Sequence, residues 1–158
     1  GISELADRSP YSLSGGQQQR VALTSILVMH PKVLVLDEPT SQMDPIGTRE
    51  VFSVIRKLSE KGMTVVMVEH KVEWIAEFAD KVVALHDGSV LLEGNPQAVL
   101  TSDLLTEKGF GISRYTSVAR KAKELGMWKK DKLPVTLDEA VDGFSLTPAP
   151  SSERRGES

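Results

Sequence analysis

The sequence contains no cysteine among its 158 residues, which removes disulfides, thiolate chemistry and cysteine-based zinc sites from consideration. No apolar run approaches the ~18 residues of a membrane span, and no signal peptide is visible. A soluble cytosolic protein is the default expectation. Neither sign of charge prevails, since 19 basic against 22 acidic residues leave a net charge of −3. That balance offers no sequence-wide field for nucleic acid or an anionic membrane, so no nucleic-acid partner is expected. The remainder is ordinary for a globular protein, with 40% hydrophobic and 26% charged residues. The length gives room for one domain or for part of a larger one. The first residue is Gly1 rather than Met, and the chain reads as one that begins in the middle of something.

Residues 1–14 are polar and turn-like, and a helical pattern follows with Val21, Leu23, Ile26, Leu27 and Met29 apolar. His30-Pro31 stops it, because proline disfavours helical geometry in the residue before it. The continuous run Val33-Leu34-Val35-Leu36 suits a parallel strand buried on both faces. Asp44 reads as the N-cap of a second helix with Pro45 in its first turn and Gly62 at its end. The expected core face of that helix is Val51, Val54, Ile55 and Leu58. Thr64–Val68 reads as a second buried strand, and a short helix carrying Val72, Ile75, Ala76 and Ala79 follows. Lys81–Leu85 and Val90–Leu92 form a hairpin about Asp87-Gly88. Asn95-Pro96 caps another short helix through Leu100. The alternation of strand and helix argues an α/β layer with a mostly parallel sheet.

From residue 101 the pattern changes. A helix over 113–126 has Tyr115, Val118, Ala119, Ala122 and Leu125 on one face, and Thr136-Leu137-Asp138-Glu139 is a capping box before a last helix. Between 113 and 134 lie seven basic residues, Arg114, Arg120, Lys121, Lys123, Lys129, Lys130 and Lys132, against two acidic ones. They read as a solvated face or as a contact for a partner subunit or membrane headgroups. From Thr147 on, Pro, Ser, Arg and Gly dominate, and a disordered tail is expected.

Three groups of residues carry chemistry. Leu13-Ser14-Gly15-Gly16-Gln17 places two glycines and a hydroxyl at the start of a helix, where unpaired N–H groups and the helix dipole favour phosphate. A plain serine-capped helix after a glycine turn fits the same residues. Asp37-Glu38 sits at the end of the first strand, where α/β sheets put their ligand sites. Alternation along a strand would let one carboxylate serve a Mg²⁺ while the other addresses a nucleophile. A solvated strand end is the simpler alternative. His70 follows the second strand, 32 residues after Glu38, and two adjacent parallel strands would bring both ends to one edge. A histidine there donates to a phosphate oxygen, orients a water, or is structural.

In this order and at this spacing the residues resemble the ATP-binding-cassette (ABC) ATPase family. Leu13–Gln17 is similar to the family's signature motif, Asp37 and Glu38 to the Walker B aspartate and catalytic glutamate, and His70 to the switch histidine. Ser41-Gln42-Met43-Asp44 resembles the D-loop, with Gln-Met in place of the commoner Ala-Leu. Residues 94–100 resemble the helix entry that closes many importer ATPases, and the helix over 113–126 with residues 134–140 resembles the C-terminal extension of energy-coupling-factor ATPases, which power uptake of vitamins or of cobalt and nickel ions. The resemblance implies an α/β fold that is the C-terminal part of a P-loop NTPase (ABC ATPase) domain plus a small helical extension. Residues 1–100 would be ATPase domain, 101–146 the extension and 147–158 the tail.

The sequence holds no G-x-x-x-x-G-K-[ST], the P-loop whose backbone and lysine hold the β- and γ-phosphates. The resemblance therefore implies a C-terminal fragment with no nucleotide site of its own in cis. In the family, two subunits close head to tail with ATP between the P-loop of one and the signature of the other. Ser14, Gly15, Gly16, Gln17 and Asp44 would then contact ATP or its interface, Asp37 would serve Mg²⁺, and Glu38 and His70 would be catalytic. The implied partners are a second ABC ATPase subunit, identical or different, and transmembrane transporter subunits. The implied location is cytoplasmic, peripheral at the inner face of the cell membrane. Two alternatives stand beside this reading: a truncated non-enzymatic module that binds an intact ABC ATPase, and a soluble ABC ATPase outside transport.

Overall fold

The computed structural model describes residues 3–144, so the tail expected from Thr147 lies outside the described residues. The chain divides into two compact units, one up to Lys71 and one from Val72.

In the first unit two 3-10 turns, Ser3–Leu5 and Pro10–Ser12, lead into helix α1 (Gly15–Leu27). Strand β1 (Val33–Asp37), helix α2 (Pro45–Glu60) and strand β2 (Thr64–Val68) follow. β1 and β2 pair in parallel from Val33 opposite Thr64 to Asp37 opposite Val68, with α2 as the crossover that a parallel pair requires. The start of α2 is as the sequence predicts: Asp44 Oδ1 accepts the Gly47 N–H at 2.7 Å, and Pro45 occupies the first turn. Gly62, just past its end, has φ +90°, a conformation that costs a glycine little.

The core of this unit joins Leu34 and Leu36 of β1 to Val51 and Ile55 of α2, with Leu23, Leu27, Val65 and Met67 packed around them. Two expectations need correction. The buried face of α2 is Thr48, Val51, Phe52 and Ile55, and Val54 is exposed. The strands are also covered on one face, not two. Val33 and Val35 of β1 and Val66 and Val68 of β2, which share a face by register, are 52–69% exposed. The helices of the unit cover the Leu34–Leu36 side alone, so a run that reads as doubly buried carries one apolar open face.

The second unit holds helix α3 (Val72–Phe78), strands β3 (Val82–His86) and β4 (Ser89–Gly94), and helices α4 (Pro96–Leu100), α5 (Asp103–Glu107), α6 (Arg114–Glu124) and α7 (Leu137–Phe144). β3 and β4 form the predicted hairpin, antiparallel with a register shift after Ala84. Asp87 and Gly88 have φ +49° and +73°, as a two-residue turn of matching twist demands. Asn95 caps α4 through the Ala98 N–H at 2.8 Å. The capping box before α7 is present, with Thr136 Oγ1 accepting the Glu139 N–H and Glu139 Oε2 accepting the Thr136 N–H.

The core here is Val82, Ala84, Val99, Leu100, Leu105 and Val135, and a smaller cluster gathers Ala119, Ala122 and Trp128. On α6 the buried residues are Thr116, Ala119 and Ala122, whereas Val118 and Leu125, expected inside, are 58% and 64% exposed. Four of the seven basic residues are neutralised locally: Arg114 by Glu73, Arg120 by Asp103, Lys121 by Glu124 and Lys130 by Asp142.

Glu73 makes one of these pairs pH-sensitive. Its Oε1 accepts from the backbone N–H and from Nε of Arg114 at 3.3 and 3.2 Å. Burial pushes its pKa up, but hydrogen bonds to its own backbone and to Arg114, with the guanidinium charge, bring it below the ordinary 4.5. A carboxyl depressed in the folded state stabilises the fold above its unfolded pKa, and the gain vanishes as pH falls through the folded one. Glu73→Gln is therefore expected to lower the melting temperature at pH 7, with the difference shrinking below about pH 4.5. Melting curves of both proteins from pH 7 to pH 3 check this.

Candidate functional site

The candidate site residues lie in the first unit, at three places: the start of α1, the ends of β1 and β2, and the start of α2, where Asp44 is the cap. At α1, Ser14 is extended and caps the helix, its Oγ accepting the Gln17 N–H at 3.3 Å while Gln17 Oε1 accepts the Ser14 N–H at 2.9 Å. This is a reciprocal capping box. The Ser14 oxygen is thus used as an acceptor, and its own proton remains available to donate. Gly15 and Gly16 are the first two residues of the helix, so their N–H groups have no intrahelical acceptor.

Residues 41–43 press against this helix start. Gln19 Nε2 donates to Ser41 Oγ at 3.3 Å. A Cβ on Gly15 would collide with the side-chain oxygen of Gln42, whereas one on Gly16 would meet nothing nearer than 3.5 Å. The atom met at Gly15 is the far end of a flexible side chain, which can swing aside, so the contact shows how closely Gln42 packs on the helix start. Asp44, two residues on, spends one carboxylate oxygen on capping α2.

At the strand ends, the parallel pairing of β1 with β2 continues one residue further through the Glu38 N–H, which donates to the Val68 carbonyl at 3.0 Å. Asp37 ends β1 exposed, on the same side as Val33 and Val35. Glu38 does not continue the alternation. Its φ is +42°, left-handed backbone that costs a non-glycine residue of order 1–3 kcal/mol and persists only when its surroundings over-determine it. The turn, rather than strand pleat, aims its side chain. Glu38 Oε1 lies 3.0 Å from His70 Nε2, and the two side chains are 46% and 77% exposed. The carboxylate and the imidazole predicted to share one edge of the sheet are in contact there.

Lys71, next to His70, has no assigned role in the sequence motifs. Its Nζ donates to the Thr40 carbonyl at 2.8 Å and to Thr40 Oγ1 at 3.1 Å, and Thr40 is fully buried. A lysine beside a strand-end histidine, with a threonine two residues past the paired acid, is the only sequence signal for this contact.

Among the described residues no group of three or more His, Asp or Glu is placed to hold a metal. The donors at the β1 end are sparse and exposed. They suit Mg²⁺ carried in by phosphates, which keeps most of its water and takes one or two protein carboxylates. They do not suit an all-protein cage. The helix start, with two unpaired N–H groups and a hydroxyl proton, suits a phosphate oxygen.

The family model described as ABC transporter matches residues 1–41. The energy-coupling factor transporter ATP-binding protein EcfA2 of Streptococcus agalactiae is 43% identical over 146 residues, which is 91% of this chain and 52% of that protein. EcfA2 of Streptococcus pyogenes is 43% identical over 141 residues, 88% of this chain and 50% of the relative. Among solved structures, cbiO1 from Clostridium perfringens, part of the ABC transporter complex cbiONQ, is 34% identical with a TM-score of 0.59. It covers 78% of this chain and 45% of its own. The ATP-binding cassette MJ1267 is 29% identical with a TM-score of 0.63, covering 70% of this chain and 45% of its own. The fold is that of ABC ATPase cassettes. The chain spans about half the length of the curated relatives it matches.

Proposed function

From the premise that this chain belongs to the ABC transporter ATP-binding family, we propose that it is part of an ATP-hydrolysing subunit. That subunit energises a membrane importer of the energy-coupling-factor type, for vitamins or transition-metal ions. The observation that carries the reading is the Glu38–His70 contact of 3.0 Å at the end of the parallel strands. A paired carboxylate and imidazole at the rim of a sheet are what activation of a water beside a terminal phosphate needs.

In this reading Glu38 accepts a proton from the attacking water, and His70 orients the carboxylate and meets the γ-phosphate as charge develops. Ser14 donates its free proton, and the Gly15 and Gly16 N–H groups their dipoles, to the γ-phosphate of ATP held by the opposing subunit. Gln17 holds Ser14 in its cap, and Asp44 anchors α2 beside the interface. Asp37 would hold Mg²⁺, which when bound neutralises the phosphate charge. Residues 1–100 serve as the C-terminal part of the ATPase domain and 101–146 as its extension. The partners are a second ABC ATPase chain, identical or different, and transmembrane subunits. The subunit works at the cytoplasmic face of the membrane, and no helix among the described residues is long and apolar enough to cross it.

The test uses the ATPase that carries this chain, assembled with its membrane partners in vesicles. MgATP is expected to drive both phosphate release and substrate uptake. An assembly that releases no phosphate contradicts the reading.

A further inference from the structure

Glu38 sits in strained backbone, and the side chain that pairs with it is exposed. Something more rigid than a half-exposed ion pair must hold this turn. The turn itself is short: the Ser41 N–H donates to the Glu38 carbonyl at 3.1 Å, and the Met43 N–H to the Thr40 carbonyl at 3.2 Å. Thr40 is its buried point, 0% exposed. Its carbonyl and hydroxyl both receive the Lys71 ammonium, at 2.8 and 3.1 Å. Buried polar groups need such partners, and bonds from a charged donor are the stronger kind.

We propose that Lys71 is a positioning residue for the hydrolytic site: with its neighbour His70 it grips the Glu38–Thr40 turn at two points and so holds the Glu38 carboxylate on His70. This rests on the reading that Glu38 acts on the attacking water. The two grips differ in kind. His70 meets a side chain at the surface, and Lys71 meets a buried peptide group and hydroxyl two residues further on. Because the gripping residues are adjacent in β2's exit, and the gripped residues lie two apart, the dipeptide fixes the turn's orientation as well as its place. The grip also extends beyond Glu38. Thr40 leads directly into Ser41 and Gln42, whose side chains meet Gln19 and Gly15 at the start of α1. Lys71 thereby ties the strand end bearing His70 to the helix start bearing Ser14, all within the first unit.

The test compares the parental ATPase assembly with Lys71→Met, Lys71→Arg and Thr40→Val. Two readouts are taken: kcat and KM for MgATP, and the imidazole ¹⁵N and ¹H signals of His70, with Glu38→Ala as the unpaired reference. Lys71→Met keeps the length of the stem and removes both bonds. A small displacement of a reacting group is costly, so kcat is expected to fall about 10-fold with KM unchanged within about twofold. The His70 signals should move toward those of Glu38→Ala. Lys71→Arg should recover at least about half of the lost kcat, because it restores donors to Thr40. If Lys71→Met does not fold, Thr40→Val decides, since it removes one bond and leaves the carbonyl grip; its His70 signals should shift in the same direction. The proposal is overturned if Lys71→Met leaves the His70 signals at their parental positions, or if KM rises while kcat holds. Should Glu38→Gln prove fully active, the hydrolytic reading fails, while the imidazole signals still decide whether Lys71 holds the pair.

Discussion

In the ATPase carrying Ser14→Arg, MgATP is expected to leave the subunits apart. Ser14 caps α1 with its side chain exposed, directly before two glycines whose N–H groups point out of the helix. An arginine at this position removes the cap, a loss of about 0.5–2 kcal/mol. It places a cation at the positive end of the helix dipole. Above all, on the proposed reading its long side chain would fill the space that the opposing γ-phosphate enters. The dimer fraction with MgATP, read by size exclusion, should fall to its value without nucleotide. ATP affinity of the open subunit should stay within about threefold, since uniform binding rests on the P-loop side. Ser14→Thr, which keeps an N-cap hydroxyl, should dimerise like the parent. Normal dimerisation of Ser14→Arg would mean that the helix start does not work across an interface, and that Ser14 is only the cap that its hydrogen bonds describe.

Glu38→Gln is expected to separate binding from hydrolysis. Glutamine keeps the size of the side chain and an oxygen that His70 can reach, but it cannot accept a proton from water. General-base help is worth typically 10²–10⁴-fold, so turnover should drop about 10²-fold or more. The fold should hardly respond. The pair is 77% and 46% exposed, and surface pairs contribute at most about 1 kcal/mol. The left-handed φ of residue 38 suits glutamine no worse than glutamate. ATP should still bind, and the closed dimer should accumulate if, as proposed, hydrolysis is what separates it. Parental turnover in this variant would make Glu38 a strand-end surface acid.

Much of the local structure is legible in the sequence because short-range chemistry decides it. Asp44-Pro45, Asn95-Pro96 and Thr136–Glu139 each name a helix start, and Asp87-Gly88 names a turn, whatever surrounds them. The parallel pairing that brings Glu38 to His70 follows from two apolar runs joined by a helix. What fails is the choice among apolar residues. On α2 both Phe52 and Val54 fit a helical stripe, and packing selects the larger ring. On α6 the small face Thr116, Ala119 and Ala122 goes inside while Val118 and Leu125 stay out, since close approach favours small side chains over hydrophobic ones. Strand alternation predicted opposite directions for Asp37 and Glu38. It stops applying where the backbone turns left-handed at Glu38. The Lys71–Thr40 grip lies 31 residues apart in sequence, and no local rule reaches that far. The basic residues of 113–134 read in the sequence as a solvated face or a partner contact, and the distant carboxylates of α3, α5 and α7, with Glu124 of α6, that pair with four of them are not visible there.

The most direct test of the account is a single-turnover measurement, with the assembled ATPase in excess over radiolabelled MgATP, because it isolates bond cleavage from product release. The parental protein is expected to cleave the bound nucleotide, while the Glu38→Gln protein holds it intact in the closed dimer for at least about 10² parental half-lives. Cleavage by Glu38→Gln at the parental rate would contradict the account, since the carboxylate that meets His70 would then have no part in the chemistry.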